Sequence, residues 1–80
     1  MKLPRDLSGQ QLVRSLRTLD YAVTRQKGSH IRLTTNRNGE HHVTIPDHNP
    51  LKTGTLAAIL NEIARHFEIT RDELLDQLEF

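Results

Sequence analysis

The sequence predicts an α+β two-layer domain in the order α-β-β-β-α(-α). Three observations carry this. Apolar residues recur at helical spacing near the start of the chain and again in its last third. Between them, short runs alternate apolar with polar residues, as half-buried strands do. Glycine-containing turns separate those runs. Hairpin-linked antiparallel strands with segregated helices place the helices on one face of a sheet.

The first helix is expected over about residues 9–19. Ser8-Gly9-Gln10-Gln11 has the form of a capping box, with Ser8 as N-cap and Gln11 at N3. Leu12, Val13, Leu16 and Leu19 make one apolar stripe, while Arg14, Arg17 and Thr18 face away. Asp20 is the expected stop, because aspartate tolerates the left-handed conformation better than most residues.

Strands are expected over 21–27, 30–36 and 40–46, with turns at Gly28-Ser29 and Asn38-Gly39. The second hairpin has a testable register. A two-residue Asn38-Gly39 turn would put the apolar residues of its two strands on opposite faces. A three-residue loop with Gly39 left-handed aligns Ile31 and Leu33 with Val43 and Ile45, leaving one buried face. Two registers satisfy this, and His30 then lies opposite Pro46 or just beyond it, with His42 roughly 13 Å away along the strands. The two histidines cannot serve the same phosphate, so His48, in the loop after the third strand, is the better neighbour for His30.

The first hairpin stays open. A two-residue Gly28-Ser29 turn sets Arg25 and Lys27 beside His30 and Arg32 on the exposed face, but brings Tyr21 and Val23 there too. A three-residue loop reverses both. A bulge near Arg25 would reconcile them.

Asp47-His48-Asn49-Pro50 reads as a loop. Thr53-Gly54-Thr55 opens a second helix, with a threonine as its expected N-cap and a stripe of Leu56, Ile59, Leu60, Ile63 and Phe67. A last short helix begins at Thr70, where Glu73 completes another capping box, and buries Leu74, Leu75 and Leu78.

Composition narrows the function. At 80 residues, the chain should be one domain spanning 1–80 with a thin core and no deep substrate cavity. It has no cysteine, which excludes disulfides and thiolate metal sites. No apolar run approaches the ~20 residues of a membrane span. The first residues lack the apolar stretch of a secretory signal, so the cytoplasm is the expected compartment. The net charge of +1 hides a split. Residues 1–37 carry eight lysines and arginines against two acids, a net of +6; residues 38–80 carry three against eight, a net of −5. Such asymmetry points to a polyanion-facing side.

Arg25, Lys27, Gly28, Ser29, His30 and Arg32 form a compact basic cluster around a tight turn. No acid stands between Asp20 and Glu40, which favours a phosphate-binding patch over a merely solvated hairpin tip. His30 is expected at an exposed strand start. Histidine changes charge near neutral pH and suits general acid/base work. RNA carries its own nucleophile, the 2′-hydroxyl. A histidine can deprotonate it while cations stabilise charge on the phosphate, so the chemistry needs no cofactor and no metal. His41 and His42 are adjacent in a strand, point to opposite faces and cannot easily share an ion. The simpler reading is a polar strand face with one histidine at the core edge, and His66 reads as structural or solvent-facing. Lys52 and Thr55 flank a helix N-terminus that could bind a further phosphate. The low aromatic content argues against single-strand recognition by stacking platforms.

These residues together resemble the HicA family of bacterial mRNA-interferase toxins. The similarity rests on Leu7-Ser8-Gly9-Gln10-Gln11-Leu12-Val13, on Arg25-Gln26-Lys27-Gly28-Ser29-His30-Ile31-Arg32-Leu33, and on Val43-Thr44-Ile45-Pro46-Asp47-His48-Asn49-Pro50-Leu51-Lys52-Thr53-Gly54-Thr55-Leu56. Gly-Ser-His and Leu-Lys-x-Gly-Thr-Leu are specific in this order and spacing. The resemblance implies a fold similar to double-stranded-RNA-binding domains. It implies RNA cleavage in the cytoplasm and neutralisation by a HicB antitoxin. The toxin alone is expected as a monomer, with a higher assembly when the antitoxin is bound. The family's catalytic histidine carries over to His30. The chain departs at Asp20, where the family usually has glycine, which concerns the helix stop and not the chemistry. The rival reading is a non-catalytic RNA-binding module, which needs the basic surface but not the histidine.

Overall fold

A computed structural model describes residues 3–78 and Phe80. Met1, Lys2 and Glu79 lie outside the described residues, including the two counted in the charge balance.

The first helix, α1, spans Gly9–Ser15 and tightens into a 3-10 turn over Leu16–Leu19. The single helix expected over 9–19 is therefore two pieces. Tightening of this kind is common at helix C-termini, where the last carbonyls lack i+4 donors. Asp20 ends it with φ 65°, and its N–H donates to the Leu16 and Arg17 carbonyls. At the other end the capping box is complete. The Gln11 N–H donates to Ser8 Oγ at 3.1 Å, and the Ser8 N–H donates to Gln11 Oε1 at 2.8 Å.

Three strands follow: β1 Ala22–Lys27, β2 His30–Thr35 and β3 His41–Pro46. They form one antiparallel sheet in the order β1-β2-β3. Each is one residue shorter than expected at a single end, at Tyr21, Asn36 and Glu40. Asn36 has already entered the turn, where its carbonyl accepts from the Gly39 N–H at 3.2 Å. The second hairpin has one of the two registers that a single buried face allows, with Ile31 opposite Ile45 and Leu33 opposite Val43. Asn38 and Gly39 both take positive φ there, 58° and 97°.

The first hairpin combines both features that the sequence left open. Gly28, at φ 57°, makes a two-residue turn that sets Lys27 opposite His30 and Arg25 opposite Arg32. The pairing then slips between Val23 and Arg25, leaving Thr24 as the extra residue of a bulge. Beyond the bulge the parity is reversed, so Val23 pairs with Leu33 on the helix side of the sheet. The residue this buries is Tyr21, at 2% exposure; Val23, on the edge strand, stays 48% exposed.

The helix α2 runs Thr53–Phe67 and α3 runs Arg71–Gln77. The expectation of a threonine N-cap for α2 is corrected: Lys52 occupies that position, with no side-chain cap hydrogen bond. Thr53 already belongs to the first helical turn, so its hydroxyl is one residue too far along to cap. For α3 the capping box is present, with Thr70 and Glu73 each accepting from the other's backbone N–H. Leu74, Leu75 and Leu78 are buried as expected.

One cluster of buried residues joins the layers. Leu12, Leu16 and Leu19 meet Ile31, Leu33, Val43 and Ile45 from the sheet, and Leu56, Leu60, Ile63 and Leu74 from the later helices. The helices therefore cover one face of the sheet. Burying an aliphatic side chain of this size contributes about 1.5–3 kcal/mol. Of the two polar residues in the interior, Ser15 and Thr35, Thr35 is the more deeply buried. Its hydroxyl donates to the Leu19 carbonyl at 2.9 Å and accepts from the Arg37 N–H at 3.1 Å, stitching β2 to the end of the first helix.

The start of α1 is pressed against the end of β3. The Gly9 N–H donates to the His48 carbonyl at 2.9 Å, and the Asp47 side chain accepts from Gln10 Nε2 at 3.2 Å. A Cβ on Gly9 would collide with the Pro46 carbonyl. Glycine is required here by close approach, a constraint the capping-box pattern alone does not reveal.

Candidate nucleic-acid interface

The face of the sheet turned away from the helices is polar. Strand alternation places His30, Arg32 and Thr34 of β2 there, with Thr44 of β3 and Arg25 and Lys27 of β1. The rows run across the strands. Lys27 faces His30, and Arg25 faces Arg32, which faces Thr44. Successive rows are separated by two residues, about 7 Å.

Four predicted residues come together. Arg25, Lys27, His30 and Arg32 line one open concavity of about 270 Å³, and Thr44 completes it. All five are exposed. Sequence reading missed Thr44 as a site residue; it pairs with Arg32 in only one of the two registers the longer loop allows, the one observed. Two other concavities are slightly larger, about 350 and 320 Å³. Size does not select the site on so small a protein. Three cations and a histidine converging without a carboxylate do.

Gly28 and Ser29 supply the turn rather than lining groups. The Ser29 carbonyl accepts from the Asp47 N–H at 2.7 Å, which ties the His30 turn to the loop after β3. That loop carries His48, whose carbonyl anchors Gly9 and whose side chain is exposed. The loop is therefore tied to the turn before His30, but His48 itself does not line the concavity. Lys52 is not brought to the cluster. It lines a separate concavity with Arg5, Asp6 and Thr53, and Thr55 lines neither.

The remaining histidines have structural partners. His42, on the outer face, shares a hydrogen bond with Thr34 Oγ1 at 2.7 Å and donates from Nε2 to Glu40 Oε2 at 2.8 Å. His41 turns inward, as adjacent strand residues must. Its Nδ1 lies 2.7 Å from the Tyr21 hydroxyl, and its ring stacks on His66 at 4.4 Å and 11°. Burial lowers the His41 pKa, and the neighbouring His66 lowers it further. Burial likewise raises the Tyr21 pKa, with Glu62 adding to the rise. Both shifts favour neutral groups, and the hydroxyl and Nδ1 share one hydrogen bond between them. His66 Nε2 donates to the Arg37 carbonyl at 3.0 Å, while Asn38 Nδ2 donates to the His66 carbonyl at 2.9 Å. His66 therefore clamps the second hairpin to the end of α2, a role visible in sequence only as "structural".

Among the described residues, no group of three or more His, Asp or Glu is placed to hold a metal ion. None of their helices is long and apolar enough to cross a membrane.

Comparison with known proteins gives one family. A family model described as HicA toxin of bacterial toxin-antitoxin matches residues 9–64, which is 56 of the 80 positions. Comparison with curated proteins and with solved structures gives no significant match.

Proposed function

The chain belongs to the HicA toxin family, and from that premise we propose that it is a small cytoplasmic endoribonuclease, an mRNA interferase acting through His30. The observation that carries this reading is the convergence of Arg25, Lys27 and Arg32 on His30 around one open concavity. The α-β-β-β-α order supports the double-stranded-RNA-binding type of fold that the resemblance implies, with Arg25, Lys27 and Arg32 exposed on it.

The chemistry is a transesterification. His30 takes the proton from a ribose 2′-hydroxyl. The oxygen attacks the adjacent phosphorus, the new 2′-O–P bond forms, and the P–O5′ bond breaks. The 5′-oxygen leaves with a proton, and the other product ends in a 2′,3′-cyclic phosphate. Extra negative charge on the phosphate develops during attack. Arg25, Lys27 and Arg32 stabilise it, and the Thr44 hydroxyl can donate to a phosphate oxygen. A positioned general base of this kind contributes roughly 10²–10⁴-fold. No metal or other cofactor enters this scheme. His48 is our candidate for a second proton-transfer group, because its loop is bonded to the Ser29 carbonyl beside His30. Lys52 and Thr55, at the start of α2, would meet only more distant phosphates.

An antitoxin of HicB type would silence the toxin by covering this same basic face. The deciding experiment compares wild-type and His30→Ala proteins in cells for growth arrest and in vitro, in EDTA, for fragments with 2′,3′-cyclic ends. Equal cleavage by the two proteins overturns the assignment. Binding without cleavage by the wild type favours the non-catalytic RNA-binding module.

A further inference from the structure

The outer sheet face carries a third row, one step beyond Arg32, that the cleavage chemistry does not use. There Thr24, Thr34, His42 and Glu40 form a continuous chain of hydrogen bonds. Thr24 Oγ1 and Thr34 Oγ1 are 3.0 Å apart, Thr34 Oγ1 and His42 Nδ1 are 2.7 Å apart, and His42 Nε2 and Glu40 Oε2 are 2.8 Å apart. Thr24 reaches this row because it is the bulged residue of β1.

The donors in this chain can be assigned in order. A carboxylate only accepts, so His42 Nε2–H donates to Glu40. With Nδ1 bare, Thr34 must donate to it, and Thr24 then donates to Thr34. With Nδ1 protonated the order reverses: His42 donates to Thr34, Thr34 to Thr24, and Thr24 to the Arg32 carbonyl at 3.4 Å. Every donor in the row is consumed internally. The valences left facing solvent are lone pairs, on Thr24, on Thr34 and on Glu40.

We propose that this row is a nucleotide subsite, which receives a hydrogen-bond donor of the nucleotide next to the scissile linkage. The inference rests on the ribonuclease reading above. An acceptor-only row bearing a carboxylate repels phosphate and takes N–H or O–H groups. RNA offers two sources of such a donor, an exocyclic base amine and a 2′-hydroxyl. The phosphate is held one row away by Arg25 and Arg32. A separation of about 7 Å lets a sugar or base of the adjoining nucleotide reach the third row. The groups are accessible: the His42 and Glu40 side chains are 37% and 67% exposed.

The test uses the full chain. RNA ends are mapped after incubating total RNA with wild-type, Thr34→Val and His42→Phe proteins. In parallel, binding of single-stranded RNA and DNA of one sequence is measured by fluorescence anisotropy in a His30→Ala background. The wild type should favour amine-bearing bases over uracil at one position beside the cut, or RNA over DNA in binding. The variants should lose that preference by roughly three- to tenfold, the worth of one neutral hydrogen bond. A lost base preference identifies the amine as the source, and a lost sugar preference identifies the 2′-hydroxyl. If either variant unfolds, the exposed Glu40→Ala change carries the same readout, because it frees the His42 N–H. Unchanged preferences in the variants, or none in the wild type, overturn the subsite. Failure of the wild type to cleave any RNA overturns the ribonuclease reading instead, while the binding arm still decides the subsite.

Discussion

Arg25 and Arg32 face each other directly across the first hairpin, two like charges paired on an exposed sheet surface. Like charges in that relation destabilise a hairpin. The two-residue turn at Gly28-Ser29 enforces the pairing, and the bulge at Thr24 lets it coexist with a buried Tyr21. We expect Arg25→Gln to stabilise the fold by about 0.2–1 kcal/mol while weakening RNA binding. Thermal melting and an RNA-binding titration on the same preparation measure both signs. A variant less stable than wild type would show that the repulsion is already screened.

Salt should report how few cations meet the RNA. Three phosphate contacts on a single strand predict a slope of roughly −2 for log affinity against log salt concentration. Lys52→Ala should leave that slope nearly unchanged, since Lys52 lies in another concavity, whereas Arg32→Gln should make it shallower by a little under one. A slope of −5 or steeper would mean that much more of the basic half of the chain lies against the ligand.

Gly9→Ala should destabilise the protein by about 1–3 kcal/mol, as overpacking does. The added methyl meets the Pro46 carbonyl, which is backbone and cannot turn aside. Urea denaturation monitored by circular dichroism reads the loss. The parallel change Gly28→Ala meets nothing within 4 Å but must hold a positive φ, so its cost should come from the turn alone.

Stability should fall as pH drops below neutrality, through His41. Burial, and then the adjacent His66, lower its folded pKa beneath the ordinary value of 6.5. The unfolded chain therefore takes up a proton first. The stabilisation is complete above about pH 6.5 and is lost as pH falls toward the lowered folded value. Denaturation midpoints between pH 5 and 7.5 should slope upward with pH in the wild type. His41→Gln, which can still accept from the Tyr21 hydroxyl, should flatten that slope.

Local chemistry was the legible part of the fold. Ser8 with Gln11 and Thr70 with Glu73 announce their helices because each capping box lies within four residues. The second hairpin could be registered because only one loop length buries Ile31, Leu33, Val43 and Ile45 together. The first hairpin could not. Tyr21 and Arg25 make incompatible demands on an unbroken strand, and the bulge that resolves them buries Tyr21 while leaving Val23 half exposed. Contacts distant in sequence were equally hidden. Gly9 answers to Pro46, and His66 to His41 and Arg37, across separations no local pattern spans. Of the candidate site, Arg25, Lys27, His30 and Arg32 were readable as a cluster because one turn gathers them. Thr44 joins from a third strand, and Lys52 proved to begin a helix in a different part of the surface.

The alternation along β2 and β3 also separates two kinds of physical constraint. Ile31, Leu33, Val43 and Ile45 face the interior, where a change of one methylene is felt throughout the core. His30, Arg32, His42 and Thr44 stand between them in the chain yet are exposed. On the ribonuclease reading, a substitution at His42 or Thr44 would therefore change what the exposed face contacts without touching the core. Recognition residues at every second position would be free to vary on a scaffold whose other positions hold still.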